Sequence, residues 1–219
     1  MQFELNKIHN VDARVLLGAM ESGSVDLIVT DPPYHKEYIP LYEMLAEGAK
    51  HALKPGGLLL ALCGHHSMDE IIVNMRQHLT WYWVGGMPNS AGSVGRYHPR
   101  QMMCGWKPCL WFVNGIADEH DYTFDWLQTR VDKRFHEWGQ PVGWFKYYIE
   151  KLSKADDLIC DPFMGGGTIA IACEDSGRRW IGAEIDETTC QRANKRLEQW
   201  RAQGVLDFDG QRYDKANCI

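Results

Sequence analysis

The tetrapeptide Asp31-Pro32-Pro33-Tyr34 holds three groups that could act on one ligand. Asp31 offers a carboxylate acceptor, Pro32 a backbone carbonyl, and Tyr34 an aromatic face. The two prolines keep the loop stiff and extended. An exocyclic amino group on a planar base needs such a set: acceptors in its plane and a ring stacked over it. Without that chemistry, the same residues are a strand-ending turn with a surface tyrosine. A second group lies far down the chain, in Asp161-Pro162-Phe163-Met164-Gly165-Gly166-Gly167-Thr168. Its glycines allow close backbone approach to a ligand and present amide N–H groups at the start of a helix. Glu184, in Gly182-Ala183-Glu184-Ile185-Asp186, follows about 20 residues later, where a Rossmann-like sheet places the acid that holds a ribose diol. The glycines are not spaced Gly-x-Gly-x-x-Gly, and the first strand-to-helix turn is not the glycine-rich one. Both features speak against a dinucleotide.

These groups need elements to hold them. Val25 to Thr30 is a β-branched apolar run closed by the two prolines, so it reads as a buried strand ending at Asp31. Leu158-Ile159-Cys160 and Arg179 to Ala183 read as the strands feeding the glycine turn and Glu184. Leu58 to Cys63, Trp81 to Gly85 and Lys107 to Val113 are further strands, the last two expected to be antiparallel. Residues 3 to 11 are a strand or an extended entry segment. Helical spacing appears over Ala13 to Met20, from Leu41 to a stop at Pro55-Gly56-Gly57, from a cap at Ser67 through Ile71 to Leu79, and over Val142 to Lys151 with Trp144, Phe145, Tyr148 and Ile149 inward. It returns from Ile169 to Cys173 and from Thr188 to Gln203. Gly86 to Gln101 reads as a mobile loop, and residues 114 to 135 carry little pattern. Helices alternating with short buried strands predict an α/β sheet covered on both faces.

With 219 residues, 45% hydrophobic and 24% charged, the chain fits one soluble domain. No apolar stretch approaches the ~20 residues of a membrane span, and Met1-Gln2-Phe3-Glu4 opens no signal peptide. A cytoplasmic protein with no membrane partner is expected. The seven cysteines are scattered without a Cys-x-x-Cys pair, which predicts reduced thiols. Cys104 and Cys109 near His98 match no common zinc spacing, so no metal is expected. A net charge of −6 opposes non-specific coating of nucleic acid but leaves room for local basic faces. Two such clusters are Arg96, Arg100 and Lys107, and Arg130, Lys133 and Arg134.

The motif order carries a resemblance. Asp-Pro-Pro-Tyr ahead of Asp-Pro-Phe-Met-Gly-Gly-Gly-Thr resembles the permuted, beta-group DNA amino-methyltransferases that use S-adenosylmethionine, and it does so over nearly the whole chain. Ser24 to Tyr34 is close to the family's usual wording. Asn10-Val11-Asp12-Ala13, His136-Glu137-Trp138-Gly139-Gln140-Pro141-Val142, and Trp180 to Asp186 with Ala193, Arg196 and Leu197 are similar to further family segments. Gln140 and Glu137 depart from the pattern, where lysine and proline are usual.

The resemblance implies a Rossmann-like class I methyltransferase fold: a doubly wound, seven-stranded, mostly parallel sheet with its last strand antiparallel and its motifs circularly permuted. It implies one domain with a catalytic half at 1–85, DNA-recognition loops at about 86–135, a cofactor half at 136–203 and a tail at 204–219. Asp31, Pro32, Pro33 and Tyr34 would be catalytic. S-adenosylmethionine, leaving as S-adenosylhomocysteine, would be held by Asp12, Ala13, Asp31, His136, Gln140, Pro141, Asp161, Phe163, Met164, Gly165, Gly166, Gly167, Thr168, Glu184 and Ile185. Arg96, Arg100, Lys107, Arg130, Lys133 and Arg134 would meet DNA phosphates. The recognition interval is short, which predicts modest sequence reading or completion by a second subunit; the family often pairs, making a homodimer one expected partner. A restriction endonuclease partner is not readable from the residues. The resemblance also implies methylation of adenine N6 in DNA rather than cytosine N4, because the loop opens with an acid where the family's cytosine N4 members more often carry Ser. Two alternatives stand beside this: an RNA or protein amide N-methyltransferase, and a non-catalytic nucleic-acid-binding relative.

Overall fold

A computed structural model of the chain describes residues 3–89, 95–97, 100–128 and 142–202. Nine strands and six α-helices alternate through them: β1 (Ile8–His9), α1 (Ala13–Ala19), β2 (Val25–Thr30), α2 (Ile39–Ala52), β3 (Leu53–Leu62), α3 (Met68–Met75), β4 (Thr80–Pro88), β5 (Gly95–Tyr97), β6 (Met102–Cys104), β7 (Trp106–Val113), α4 (Val142–Leu152), β8 (Leu158–Asp161), α5 (Thr168–Ser176), β9 (Arg179–Ala183) and α6 (Glu187–Ala202). Seven strands form one sheet in the order β1-β9-β8-β2-β3-β7-β4, and β5 and β6 make a separate hairpin. Only β7 runs against its neighbours; it is antiparallel to both β3 and β4. The reversed strand expected from the resemblance is therefore present, one place in from the edge.

Strands buried on both faces explain the continuous apolar runs. In β2, Leu27 and Val29 join one core and Ile28 the other; in β3, Leu58, Leu60 and Leu62 face one side and Leu59 and Ala61 the other, joined by Cys63 just past the strand. The first core is closed by α4, α5 and α6, through Trp144, Tyr148, Ile169 and Leu197 among others. The second is closed by α1, α2 and α3, through Leu16, Leu45 and Ile71. Trp144, Phe145, Tyr148 and Ile149 all point inward from α4, as their spacing predicts.

Three expectations need correction. Pro55-Gly56-Gly57 is not a stop: α2 ends at Ala52 and β3 begins at once, running through these residues. The irregularity appears instead as a register shift, with Val25 opposite Leu53 but Leu27 opposite Leu58. Gly56, at φ +87°, is pinned by its N–H on the Asn114 carbonyl at 2.8 Å. The segment 86–101 is not all loop. β4 continues through Gly86 and Met87 to Pro88, paired with Trp106 to Pro108, and Gly95–Tyr97 pairs with Met102–Cys104. Gly86 must lack a side chain because a Cβ there would lie 2.8 Å from the Trp106 ring. The helix from Ser67 also falls short of its expected end at Leu79, since α3 stops at Met75; of the two readings of residues 3 to 11, the entry segment holds, with strand pairing confined to Ile8–His9.

Candidate active site

The parallel strands end on one edge of the sheet, and nearly every residue singled out above that the structure describes collects there. β2 delivers Asp31 to Tyr34, β8 the glycine turn, and β9 Glu184 and Ile185, while β7, reversed, brings its N-terminal Trp106 and Lys107 to the same edge. Strand order reverses between β8 and β2, since β8 is followed outward by β9 and β1 and β2 by β3. A crevice at such a reversal is where open α/β sheets bind ligands.

On the β8 side the turn is held at many points. Gly165 (φ +50°) and Gly167 (φ +79°) adopt left-handed backbone, which glycine enters without penalty. The Gly165 N–H donates to Glu184 Oε2 at 3.0 Å, and the Met164 N–H to the Ala183 carbonyl at 2.8 Å. Glu184 Oε1 accepts the Asp186 N–H at 2.9 Å, so the acid braces the turn and its own loop together. The Asn10 amide donates to the carbonyls of Glu184 and Ile185 at 2.9 and 3.0 Å. Arg196, from α6, donates to the Gly166 carbonyl at 2.7 Å and to the Thr168 hydroxyl at 3.2 Å. Gly182 is required beneath: a Cβ there would collide with the Met164 methyl and come within 3.1 Å of the Asp161 carbonyl.

The chemistry of this side fits a ribose-bearing cofactor. Each Glu184 oxygen accepts one main-chain N–H, and a carboxylate oxygen has capacity for a second donor. Above Gly165, a Cβ would find nothing nearer than 3.9 Å, so the turn is bare and open to approach. Ile185 leaves an apolar side chain 68% exposed beside Glu184, a surface on which a flat ring can rest. Asp12 caps α1, its Oδ1 accepting the Arg14 N–H at 2.7 Å, with Ala13 buried behind it. Phe163 is partly buried against the α1–α3 core. His136, Gln140 and Pro141 lie outside the described residues.

Asp161 occupies a different environment from the rest of its motif. It is 2% exposed, and its Oδ1 accepts both the Thr30 hydroxyl at 2.6 Å and the Phe163 N–H at 3.0 Å. Burial pushes its carboxyl up to about 7, with Asp31 and Glu184 adding to the rise and the two donors opposing it.

On the β2 side, Pro32 is buried and Asp31, Pro33 and Tyr34 are partly buried. The Tyr34 hydroxyl donates to Asp31 Oδ1, so the phenol stands over the carboxylate it shares the loop with. Burial, and then the Asp31 charge, push that phenol well above its ordinary range, which keeps its proton in place. The Lys107 ammonium lies 5.3 Å from the centre of the Tyr34 ring, a cation–π distance. Cys63, at the end of β3, is buried and its thiol is pushed up to about 12, first by burial and then by Asp31, so it is no nucleophile at neutral pH.

Arg96 and Arg100 are exposed on and beside the β5–β6 hairpin, whose base is tied to the end of β4 by Asn89. Arg130, Lys133 and Arg134 lie outside the described residues. Among the described residues no group of three His, Cys, Asp or Glu side chains could hold a metal ion, and no helix is long and apolar enough to cross a membrane. Sequence reasoning missed Thr30, Asn10 and Arg196 as parts of the site. Asn10 and Arg196 stood inside matched segments but carried no chemical signal of their own; their roles are hydrogen bonds to main chain distant in sequence.

Comparison with known proteins agrees with this geometry. A family model described as DNA methylase matches residues 109–195. The "Putative methylase YubD" of Escherichia coli (strain K12) is 34% identical over 203 residues, covering 83% of this chain and 86% of that one. The "Putative DNA Modification Methylase" TTHA0409 from Thermus thermophilus, solved with S-adenosyl-L-methionine, superimposes with a TM-score of 0.71 at 19% identity, over 89% of this chain and 93% of the other. PvuII DNA methyltransferase (cytosine-N4-specific) gives 0.74 at 16% identity, over 90% and 93%. The fold is thus that of the solved DNA methyltransferases, and the identity shared with YubD across most of both chains places this protein in the DNA methylase family.

Proposed function

We propose that the protein is an S-adenosylmethionine-dependent DNA methyltransferase that modifies adenine N6 by direct transfer to a flipped base. The observation that carries this reading is the opposition, across one switch point, of an acceptor loop (Asp31 to Tyr34) and a bare glycine turn braced by Glu184. Asp12, Ala13, Phe163 to Thr168, Glu184 and Ile185 would hold the cofactor, with Glu184 on the ribose and Ile185 against the adenine, while Asp31 faces the reacting amino group.

The cofactor supplies a methyl group on a sulfonium, which is electrophilic without further activation. The protein's own task is to position and prepare the nucleophile. Adenine N6 is a weak nucleophile because its lone pair is delocalised into the ring. Asp31 and the Pro32 carbonyl, accepting its two hydrogens, favour a pyramidal nitrogen whose lone pair points across the crevice. The entering amino group displaces the Tyr34 hydroxyl from Asp31, and the freed ring stacks on the base. After transfer the nitrogen is acidic and loses its proton readily, so no strong general base is required. Duplex DNA hides this atom, so the base must leave the helix. Arg96, Arg100 and Lys107, gathered at this edge of an acidic chain, suit the flanking phosphates.

The fold shared with PvuII DNA methyltransferase, a cytosine-N4 enzyme by its description, favours one second reading: transfer to cytosine N4 through the same acceptor geometry. One experiment separates the two. The protein is incubated with methyl-labelled cofactor and mixed-sequence DNA, and the DNA is digested to nucleosides. Label in N6-methyladenine supports the proposal, label in N4-methylcytosine replaces it with the second reading, and label in neither overturns both.

A further inference from the structure

The two halves of the site meet where β2 lies beside β8, and the main-chain ladder joining them is short. It registers Leu27 with Ile159 and Ile28 with Cys160. On its other side β2 stays paired with β3 as far as Thr30 and Ala61. Beyond Ile28 and Cys160 the acceptor loop and the glycine turn go their separate ways. A side-chain bond takes over there: the Thr30 hydroxyl donates to Asp161 Oδ1 at 2.6 Å, joining residues 131 apart in the chain. Thr30 is fully buried and Asp161 nearly so. Thr30 is followed directly by Asp31, and Asp161 is the last residue of β8 before the turn. The same Asp161 oxygen also accepts the Phe163 N–H at 3.0 Å, so one atom holds the end of β2 and the first bend of the glycine turn together.

Such a link is stiff. A β-branched side chain has few χ1 choices, and a hydrogen bond shielded from water is stronger than an exposed one and expensive to leave half made. Methyl transfer depends on the reacting atoms meeting at contact distance and in line, where a displacement of ~1 Å can lower the rate about 100-fold.

We propose that Thr30 is a positioning residue for the transfer step: its hydroxyl, anchored on Asp161, sets the distance between the Asp31 acceptor and the methyl carbon held on the Gly165–Gly167 side. The inference rests on the methyl-transfer reading above. Thr30 touches neither reactant; it acts through the two loops it ties.

The test compares wild type, Thr30→Val and Thr30→Ser for kcat, for KM with DNA, for the dissociation constant of S-adenosylmethionine by calorimetry, and for thermal melting. Valine keeps the shape and removes the donor; serine keeps the donor. The expected result for Thr30→Val is a kcat lowered about 10- to 100-fold, with cofactor affinity and KM within about twofold of wild type. Thr30→Ser is expected to recover most of the lost kcat. A Thr30→Val kcat equal to wild type overturns the proposal, as does a kcat loss matched by an equal loss of cofactor affinity, or a serine variant no better than valine. Should valine not fold, Thr30→Ala replaces it; failure of both to fold makes Thr30 purely a stability residue and overturns the proposal too. Wild-type protein that transfers no methyl to DNA sinks the underlying reading and this inference with it, whereas an active wild type with an indifferent Thr30→Val sinks the inference alone.

Discussion

The two sides of the switch point are built differently. On the β8 side, the glycine turn is fastened to Ala183, Glu184 and Arg196 by main-chain and side-chain bonds between 2.7 and 3.0 Å, and Glu184 is itself pinned by Asn10 and Asp186. On the β2 side, Asp31 meets the hydroxyl of its own loop's Tyr34, and Tyr34 carries a lysine on its ring. The first arrangement is complete before a ligand arrives. The second has a donor that an incoming amino group can replace. Electrostatic preorganisation works best where nothing has to move at the moment of reaction; on the proposed reading, a rigid cofactor turn opposite an exchangeable acceptor would divide that labour between two strands.

The sharpest way to break this comparison is to remove the acceptor. Asp31→Ala should lower the rate of methyl transfer about 1000-fold or more, the scale on which positioned groups at a reacting atom act, while cofactor affinity stays near wild type. Label transfer and calorimetry on the same preparation measure both. A variant that methylates DNA at close to the wild-type rate removes Asp31 from the chemistry. The opposite pattern is expected across the crevice. Glu184→Ala strips the acceptor from the Gly165 and Asp186 N–H groups and from any ribose, so cofactor binding should weaken about 10- to 100-fold, the worth of a charged hydrogen bond left unmade. Unchanged cofactor affinity in Glu184→Ala would show that the glycine turn is not the cofactor side.

A third prediction sits on the seam between the two. Asp161 titrates near 7 in the folded protein against an ordinary 3.8, chiefly because it is buried. Between those values the folded state holds a proton that the unfolded chain has released. Stability from this group is therefore full below about pH 4, falls as pH rises, and is gone once pH passes the folded value. Asp161→Asn keeps an oxygen to accept the Thr30 and Phe163 donors and has no proton to lose. Its melting temperature should fall less than that of wild type between pH 5 and pH 8. Parallel melting curves for the two proteins across that range would refute the assignment.

What could be read in the chain, and what could not, divides along the same physical line. β8 and β9 were legible nearly to the residue because strands buried on both faces are short unbroken apolar runs. The inward face of α4 was legible because Trp144, Phe145, Tyr148 and Ile149 repeat at helical spacing. The paired motifs were legible because prolines and glycines mark turns by backbone chemistry alone. The passage of β3 through Pro55-Gly56-Gly57 was hidden, since it depends on Asn114 bonding to Gly56 and Gly57 from far along the chain. The extension of β4 was hidden for a similar reason: Gly86 has no propensity for a strand and sits there because Trp106 and Trp126 flank it. Thr30 looked like the end of a strand and nothing more. Its significance lies in Asp161, and no local pattern reports a bond between residues 131 apart.

The smallest expected effect concerns Lys107, to which two roles on the β2 side can be given. It was singled out as a phosphate contact, yet the structure sets its ammonium over the Tyr34 ring, 5.3 Å from the centre. The two roles leave different marks. A lysine that neutralises a phosphate releases counterions, so Lys107→Gln should lower the slope of log affinity for DNA against log salt by about one and raise the apparent KM several-fold, with kcat little changed. A lysine that only braces the ring contributes a cation–π contact of about 0.5–2 kcal/mol; its loss would leave the salt slope alone and act on kcat through a looser Tyr34. Filter-binding titrations between about 50 and 200 mM salt, the range over which phosphate contacts show themselves at roughly tenfold or more in affinity, separate the two. We expect the salt slope to change, because Lys107 is only half-buried at the mouth where Arg96 and Arg100 also stand exposed. On that expectation the lysine would rest on the tyrosine in the free protein and move to a phosphate when DNA binds, and a salt slope equal to wild type would leave it a brace of the ring alone.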